Sequence, residues 1–311
     1  MADGLQPIQI NQPGWYDLTE DVYHKDPCPT PSLSASCAKL VIEKSLLHAW
    51  ANHPKSPMSV PWEPSEAREI GKAVHAAVFG GAKLHIIQAV HEKTGKPVTD
   101  FKTKAAKDER DFAVSQGLIP MLQSKLETIE TMAEIARDRF DGLYGGEYHA
   151  ERVAIWECPR TGGWRRGMLD SSAKSAPIIV DFKTTKAEVD DQSCIKRIFD
   201  HGMHIQAAAY EEAMECLNPE WAGRVRFFFQ WQEQQPPYAL SRPIEMKEAA
   251  MTLGREQWRA AGPLWDAAVK RNHFPGYGDL PVEAHPKPWT LSSWQERMET
   301  DNRLIPMETE Q

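Results

Sequence analysis

Apolar residues recur at helical spacing through most of the first half of the chain, and shorter apolar runs of strand length dominate the middle. Ser32 or Ser34 can cap a helix that runs to about Trp50, where His53-Pro54 stops it. A Pro-rich connection over 54–64 leads to a second helix, beginning near Pro64-Ser65 and ending at Gly80-Gly81. Lys83 to Val90 has strand character. Helices are expected around 102–115 and 118–140, the second carrying Ile119, Leu122, Leu126, Ile129, Met132 and Ile135 on one face.

From residue 148 the pattern changes. Residues 148–158 and 163–170 read as a hairpin closed by Arg160-Thr-Gly-Gly163, Gly-Gly being a favoured turn pair. A turn around Ser175–Pro177 leads into a short apolar strand over 177–183. Helices are expected at 190–200 and 203–217, then a strand over 224–232 that can pair with 238–243. A long helix over about 246–272 precedes a tail rich in Pro, Gly and aromatic residues. Helices followed by a mixed sheet flanked by helices make an α/β architecture. The expected organisation is one domain over 32–290, between an irregular segment 1–31, with a short helix at Asp17–Tyr23, and a tail 291–311.

The 41% hydrophobic and 26% charged content is that of a globular protein with an ample core, and no apolar run approaches a membrane span. The N-terminus lacks the basic and apolar regions of a signal peptide, so cytoplasmic residence is the default. Cys28, Cys37, Cys158, Cys194 and Cys216 are scattered, without the C-x-x-C spacing of a zinc site. A net charge of −8 argues against a protein that coats nucleic acid non-specifically. Locally the sign reverses: residues 160–174 hold Arg160, Arg165, Arg166 and Lys174 against the single acid Asp170.

That reversal surrounds the chemistry. Gly167-Met-Leu-Asp170 ends one expected strand, and Asp181-Phe-Lys183 ends the next. Alternate strand residues share a face, so Asp181 and Lys183 project together while Phe182 turns inward. Two hard oxygen ligands and an ammonium group suit a divalent cation with an anionic substrate. An Asp-x-Lys triplet alone also fits a solvated strand end. Three other features bear on it. His75, in Gly71-Lys-Ala-Val-His75, fits either a buried core histidine or a cation ligand, with Gly71 leaving room for a close approach by the sheet. Gln206 and Tyr210 lie at i and i+4 on one helix face, separated by alanines. Glu151 could be an outer acid of the site but better fits a solvated strand position.

In this order, His75, Gly167-x-x-Asp170, Asp181-x-Lys183 and Gln206-x-x-x-Tyr210 resemble the motif series of the PD-(D/E)XK nuclease superfamily in its RecB-like exonuclease branch. Ser32-Leu-Ser34-Ala-Ser36, Ser45-Leu-Leu-His-Ala-Trp50, Phe274-Pro-Gly-Tyr277 and Pro288-Trp289 further resemble the RecE (exodeoxyribonuclease VIII) C-terminal nuclease family of phages and prophages, over roughly residues 15–290.

The resemblance implies a restriction-endonuclease-like fold, a mixed central sheet flanked by helices. It implies metal ligation by His75, Asp170, Asp181 and the backbone carbonyl of Phe182, with Mg2+ the expected ion and Mn2+ an alternative. Lys183 would orient or help deprotonate the attacking water and stabilise charge on the phosphate. Gln206 and Tyr210 would contact the DNA backbone or the water network. Charge and proximity make Arg165 and Arg166 candidate phosphate clamps. The pair of acids makes this a D…DxK variant. Some relatives hold an iron–sulfur cluster on four cysteines, a spacing the cysteines here do not reproduce, so none is expected. The implied activity is metal-dependent exonucleolytic hydrolysis of linear double-stranded DNA from 5′ ends in phage-type recombination. Relatives form rings, commonly tetramers, and leave a 3′ strand for a single-strand annealing protein. A non-catalytic DNA-binding scaffold and an endonuclease are the alternatives.

Overall fold

The computed structural model describes residues 8–59, 66–80, 83–92, 94–144, 147–301 and 303–304. In chain order the elements of the first compact unit, which ends at Gly276, are β1 (Gly14–Tyr16), α1 (Glu20–His24), α2 (Ala35–Glu43), α3 (Leu46–Ala51), α4 (Glu66–Phe79), β2 (Leu84–Ile87), α5 (Lys104–Ser115), β3 (Ile119–Leu122), α6 (Leu126–Tyr144), β4 (Tyr148–Glu157), β5 (Trp164–Ala173), β6 (Ile178–Thr185), α7 (Asp191–Asp200), α8 (Met203–Leu217), β7 (Arg226–Glu233), β8 (Ile244–Glu245) and α9 (Glu248–Arg271). Six strands form the central sheet in the order β1-β4-β5-β6-β7-β8, parallel between β6 and β7 and antiparallel elsewhere.

Helices clad the sheet in two separate cores. Ala154, Trp156, Leu169, Ile179, Phe227 and Phe229 pack with α2, α8 and α9, around Trp258 and Trp265. Val180 and Phe182 pack instead with α4 and α6, against Val74, Met132 and Phe140. The mixed sheet with helical layers is the architecture that the element pattern predicts. Among the described residues no helix is long and apolar enough to cross a membrane.

The structure revises four local expectations. The helix from Ser34 to Trp50 is two: Lys44 leaves helical geometry (φ −129°, ψ −90°), and Ser45 caps a new helix by accepting the His48 N–H. The helix expected over 118–140 starts only at Leu126. Ile119–Leu122 is a strand, paired in parallel with Leu84–Ile87, where Pro120 is tolerated as it would not be inside a helix. From Leu126 onward the helical period is real, burying Ile129, Met132, Ala136 and Phe140. Beside β7, residues 238–243 contribute one bridge, Gln232 to Leu240, and the paired strand is Ile244–Glu245. Finally, the expected tail contains a helix: the second unit, from Tyr277, holds α10 (Pro288–Thr300), with Pro288 at its first turn. The expected start of the second helix at Pro64-Ser65 lies outside the described residues.

Candidate active site

β5 and β6 pair at only two positions, Ser171 with Val180 and Ser172 with Ile179. Beyond them the strands part, and a side chain takes over the ladder: Asp170 Oδ2 accepts the Phe182 N–H at 2.7 Å. Parting frees the backbone and the carboxylates on both edges of the gap. Asp181 Oδ2 accepts from Gln206 Nε2 on α8 at 2.6 Å, while Asp181 Oδ1 pairs with the Lys183 ammonium. From the opposite layer His75 on α4 reaches the Phe182 carbonyl, its Nε2 donating at 2.8 Å, with Nδ1 4.0 Å from Asp170 Oδ2. A carbonyl only accepts, so this bond puts the proton on Nε2 and leaves a lone pair on Nδ1. The approach of α4 depends on Gly71: a Cβ there would sit 2.9 Å from Thr184 Oγ1. His75, Asp170, Asp181, Phe182, Lys183 and Gln206 therefore meet at one place.

Tyr210, Arg165 and Arg166 do not join them in the expected roles, and Gln206 joins them by holding Asp181. Tyr210 is buried, its ring laid over Gly167 where a Cβ would be 2.7 Å from Cε1, so it forms a wall of the site and not a surface for DNA. Gln206 is spent on Asp181. Arg165 and Arg166 are 1% and 6% exposed. Arg165 makes a two-pronged pair with Asp266 at 2.8 and 2.6 Å, and Arg166 pairs with Asp26 at 3.3 Å and donates to Ser32 Oγ at 2.6 Å. Neither guanidinium has the exposed surface a phosphate clamp requires, because each is neutralised within the fold.

Two further residues enter: Glu151, read from the sequence as an outer acid or, better, a solvated strand position, and Glu20, which the sequence does not single out. Glu151 sits on β4 between the pairs Ala150–Ser171 and Arg152–Leu169, at the level of Asp170. Its backbone is left-handed (φ 46°), unusual for a strand residue without a glycine's freedom. Burial and the charges of Asp170 and Glu20 push its carboxyl up, which ties it to the site in place of the solvated strand position expected. Glu20 on α1 accepts at Oε1 from Lys72 Nζ at 2.6 Å and from His24 Nε2 at 3.2 Å. No sequence signal links α1 to α4, since the contact spans 52 residues.

The acids are electrostatically strained. Burial, then the neighbouring Asp170 charge, pushes Asp181 up to about 6 against the pull of Lys183. Burial also raises Asp170, opposed by Lys183 and the Phe182 N–H. Burial followed by Lys183 lowers His75 to about 4, keeping the imidazole neutral and able to ligate at neutral pH. Burial alone would lower Lys183, but Asp181 and Asp170 outweigh it and hold the ammonium charged. Asp181 is 1% exposed, whereas Asp170 and Lys183 are 18% and 27% exposed, so solvent reaches one side of the cluster.

Two carboxylates pushed up by burial, Asp181 also by the charge of Asp170, beside a backbone carbonyl and a neutral imidazole, are a donor set that a divalent cation would relieve. Among the described residues no three His, Cys, Asp or Glu side chains are drawn together as a ready cage. His75 Nε2 donates to the Phe182 carbonyl, and each carboxylate accepts from an N–H donor, Asp170 from Phe182 and Asp181 from Gln206. A divalent cation that keeps several waters and takes one or two carboxylates from a protein fits this sparse set.

Two carboxylates and a lysine where two neighbouring strands part, on a mixed sheet with helices on both faces, define the PD-(D/E)XK class of folds. The chain belongs to the family described as "PDDEXK-like domain of unknown function (DUF3799)", whose model matches residues 34–280. Its fold is similar to the crystal structure of a "Putative exonuclease" from Eubacterium rectale, with a TM-score of 0.55 at 14% identity, covering 89% of this chain and 98% of that one. No curated protein matches the chain as a relative.

Proposed function

We propose that the protein is a Mg2+-dependent exodeoxyribonuclease that hydrolyses phosphodiester bonds of linear double-stranded DNA, in the manner of the RecE family. The observation that carries this reading is the convergence of Asp170, Asp181 and Lys183 where β5 and β6 part, with His75 delivered from α4. The likeness to the Eubacterium rectale "Putative exonuclease" and the PDDEXK description of the family support it.

A divalent ion bound by Asp170, Asp181, the Phe182 carbonyl and His75 would supply positive charge against the phosphate. The chain's own residues do the rest. Lys183 stays protonated beside Asp181 and offers its ammonium to charge developing on the phosphate oxygens or to the attacking water. Gln206 fixes the orientation of Asp181 through Oδ2. His75, neutral and anchored by the Phe182 carbonyl, presents Nδ1 towards Asp170. Tyr210 closes the inner wall over Gly167.

The 5′-to-3′ polarity, a ring-shaped homo-oligomer such as a tetramer, and transfer of the 3′ strand to a single-strand annealing protein rest on the resemblance of the motif series to the RecE family. Incubating purified protein and Mg2+ with end-labelled linear duplex and with covalently closed circles tests the reading, with EDTA as control. Loss of the linear form alone supports the exonuclease. Nicked circles would replace it with an endonuclease, and no cleavage with a DNA-binding scaffold.

A further inference from the structure

The site is rich in acid. The charges of Asp170 and Glu20 act on Glu151, that of Asp170 acts on Asp181, and Lys183 is already paired with Asp181. Arg165 and Arg166, the arginines nearest Asp170 in sequence, are buried in ion pairs, and Arg152, beside Glu151, lies over the Trp15 ring. A DNA backbone approaching this cluster needs a cation that is near it and can change partner.

Lys72 meets both requirements. It lies on α4 three residues before His75, on the same helix face one turn away. Gly71, beside it, is the point where α4 touches Thr184 at the end of β6, next to Lys183. Its partner is Glu20 Oε1 at 2.6 Å, a single contact between two partly exposed side chains. The same oxygen receives His24 Nε2 at 3.2 Å. Oε1 is thus a negatively charged oxygen held by two nitrogen donors, one of them on the helix that carries His75, which is the kind of environment a phosphate oxygen would occupy. Through Lys72, Glu20 is tied to the helix that delivers His75 to Phe182, and its charge acts on both His75 and Glu151. An exposed pair of this kind contributes little to stability, so exchanging its anion is inexpensive.

We infer that Lys72 is a contact for a DNA phosphate next to the bond being cut, and that Glu20 occupies the phosphate's place in the free protein. This rests on the nuclease reading above. Exchange requires only side-chain rotation: Glu20 leaves Lys72, and a phosphate oxygen accepts from the ammonium in its stead. Glu20 then acts as an internal competitor, setting a threshold that weakly bound anions do not pass.

The test is fluorescence anisotropy of a labelled duplex end, with calcium replacing magnesium, over a series of salt concentrations. Lys72→Ala should weaken binding about three- to tenfold at low salt and reduce the slope of log K against log salt by about 0.9, the signature of one lost phosphate contact. Glu20→Gln should tighten binding, and the double variant should match Lys72→Ala alone. An unchanged melting temperature for Lys72→Ala separates the effect from misfolding. Wild-type binding with Lys72→Ala indistinguishable from it, or weakening by Glu20→Gln, would overturn the inference and leave the nuclease reading standing. Failure of the wild-type protein to bind duplex would overturn both.

Discussion

Arg166 and Asp170 lie four residues apart on β5, yet they belong to opposite electrostatic regimes. Around Arg166 every charge is answered. Asp26 accepts the Ser32 N–H at 2.9 Å, Ser32 Oγ–H at 2.8 Å and the Cys28 N–H at 3.2 Å, and pairs with His53 and Arg166 at 3.1 and 3.3 Å. Burial pushes the Asp26 carboxyl up, but His53 and Arg166 more than reverse it and hold it well below the usual range. Around Asp170 the balance is opposite: burial and the like charge of its neighbour push the Asp181 carboxyl up to about 6. The first cluster ties the N-terminal segment to the sheet. The second sets two buried carboxylates against each other, a repulsion that a proton or a bound cation relieves. Charge in a sequence thus carries no role by itself; the role follows from whether the fold supplies a counter-charge.

Removing one acid from each cluster is the sharpest way to break that comparison. Asp26→Ala strands a buried Arg166 and should cost about 3–5 kcal/mol of stability, read by urea unfolding. Asp170→Asn keeps an acceptor for the Phe182 N–H and removes a repelling charge, so in EDTA it should leave stability unchanged or raise it. Comparable losses from both substitutions would erase the distinction.

Next in size is the effect of metal. At a hundredfold excess over its Kd, Mg2+ should stabilise the fold by about 2.7 kcal/mol at pH 7.5. The sign with pH follows from Asp181. Its folded pKa is raised to about 6, so its proton favours the metal-free fold, fully below about 3.9 and no longer once the pH passes about 6. Metal needs the ionised carboxylate, so the Mg2+-induced stabilisation should shrink as the pH falls through 6, to about half its value at pH 5, where one proton weakens binding about tenfold. A shift independent of pH would remove Asp181 from the ligand set. Smaller still, Gly167→Ala forces a Cβ against the Tyr210 ring and should cost about 1–3 kcal/mol, read by thermal unfolding.

Much of this site is legible in the chain itself. A hairpin turn and a short apolar run mark the strands bearing Asp170 and Asp181, and the triplet Asp181-Phe-Lys183 carries its own geometry, with Phe182 buried in the α4–α6 core and Asp181 and Lys183 paired on the other side. The four motifs stand in an order that brings His75 and Gln206 with them. What escapes depends on distant partners or on backbone dihedrals. Arg165 and Arg166 look like a basic patch until Asp266 and Asp26 arrive from far along the chain. Glu151 reads as a solvated strand residue because nothing in its neighbours announces a left-handed backbone. Ile119 and Leu122 fit a helical period by spacing, and Pro120 is the local sign that they form a strand.

The central claim is that Asp170, Asp181 and Lys183 form the cutting centre, and Lys183 tests it most directly. Hydrolysis of end-labelled linear duplex in Mg2+ should fall about 10²–10³-fold in Lys183→Ala, a typical cost of removing one preorganised donor, while duplex binding and the Mg2+-induced melting shift persist. Cleavage at the wild-type rate by Lys183→Ala would contradict the account.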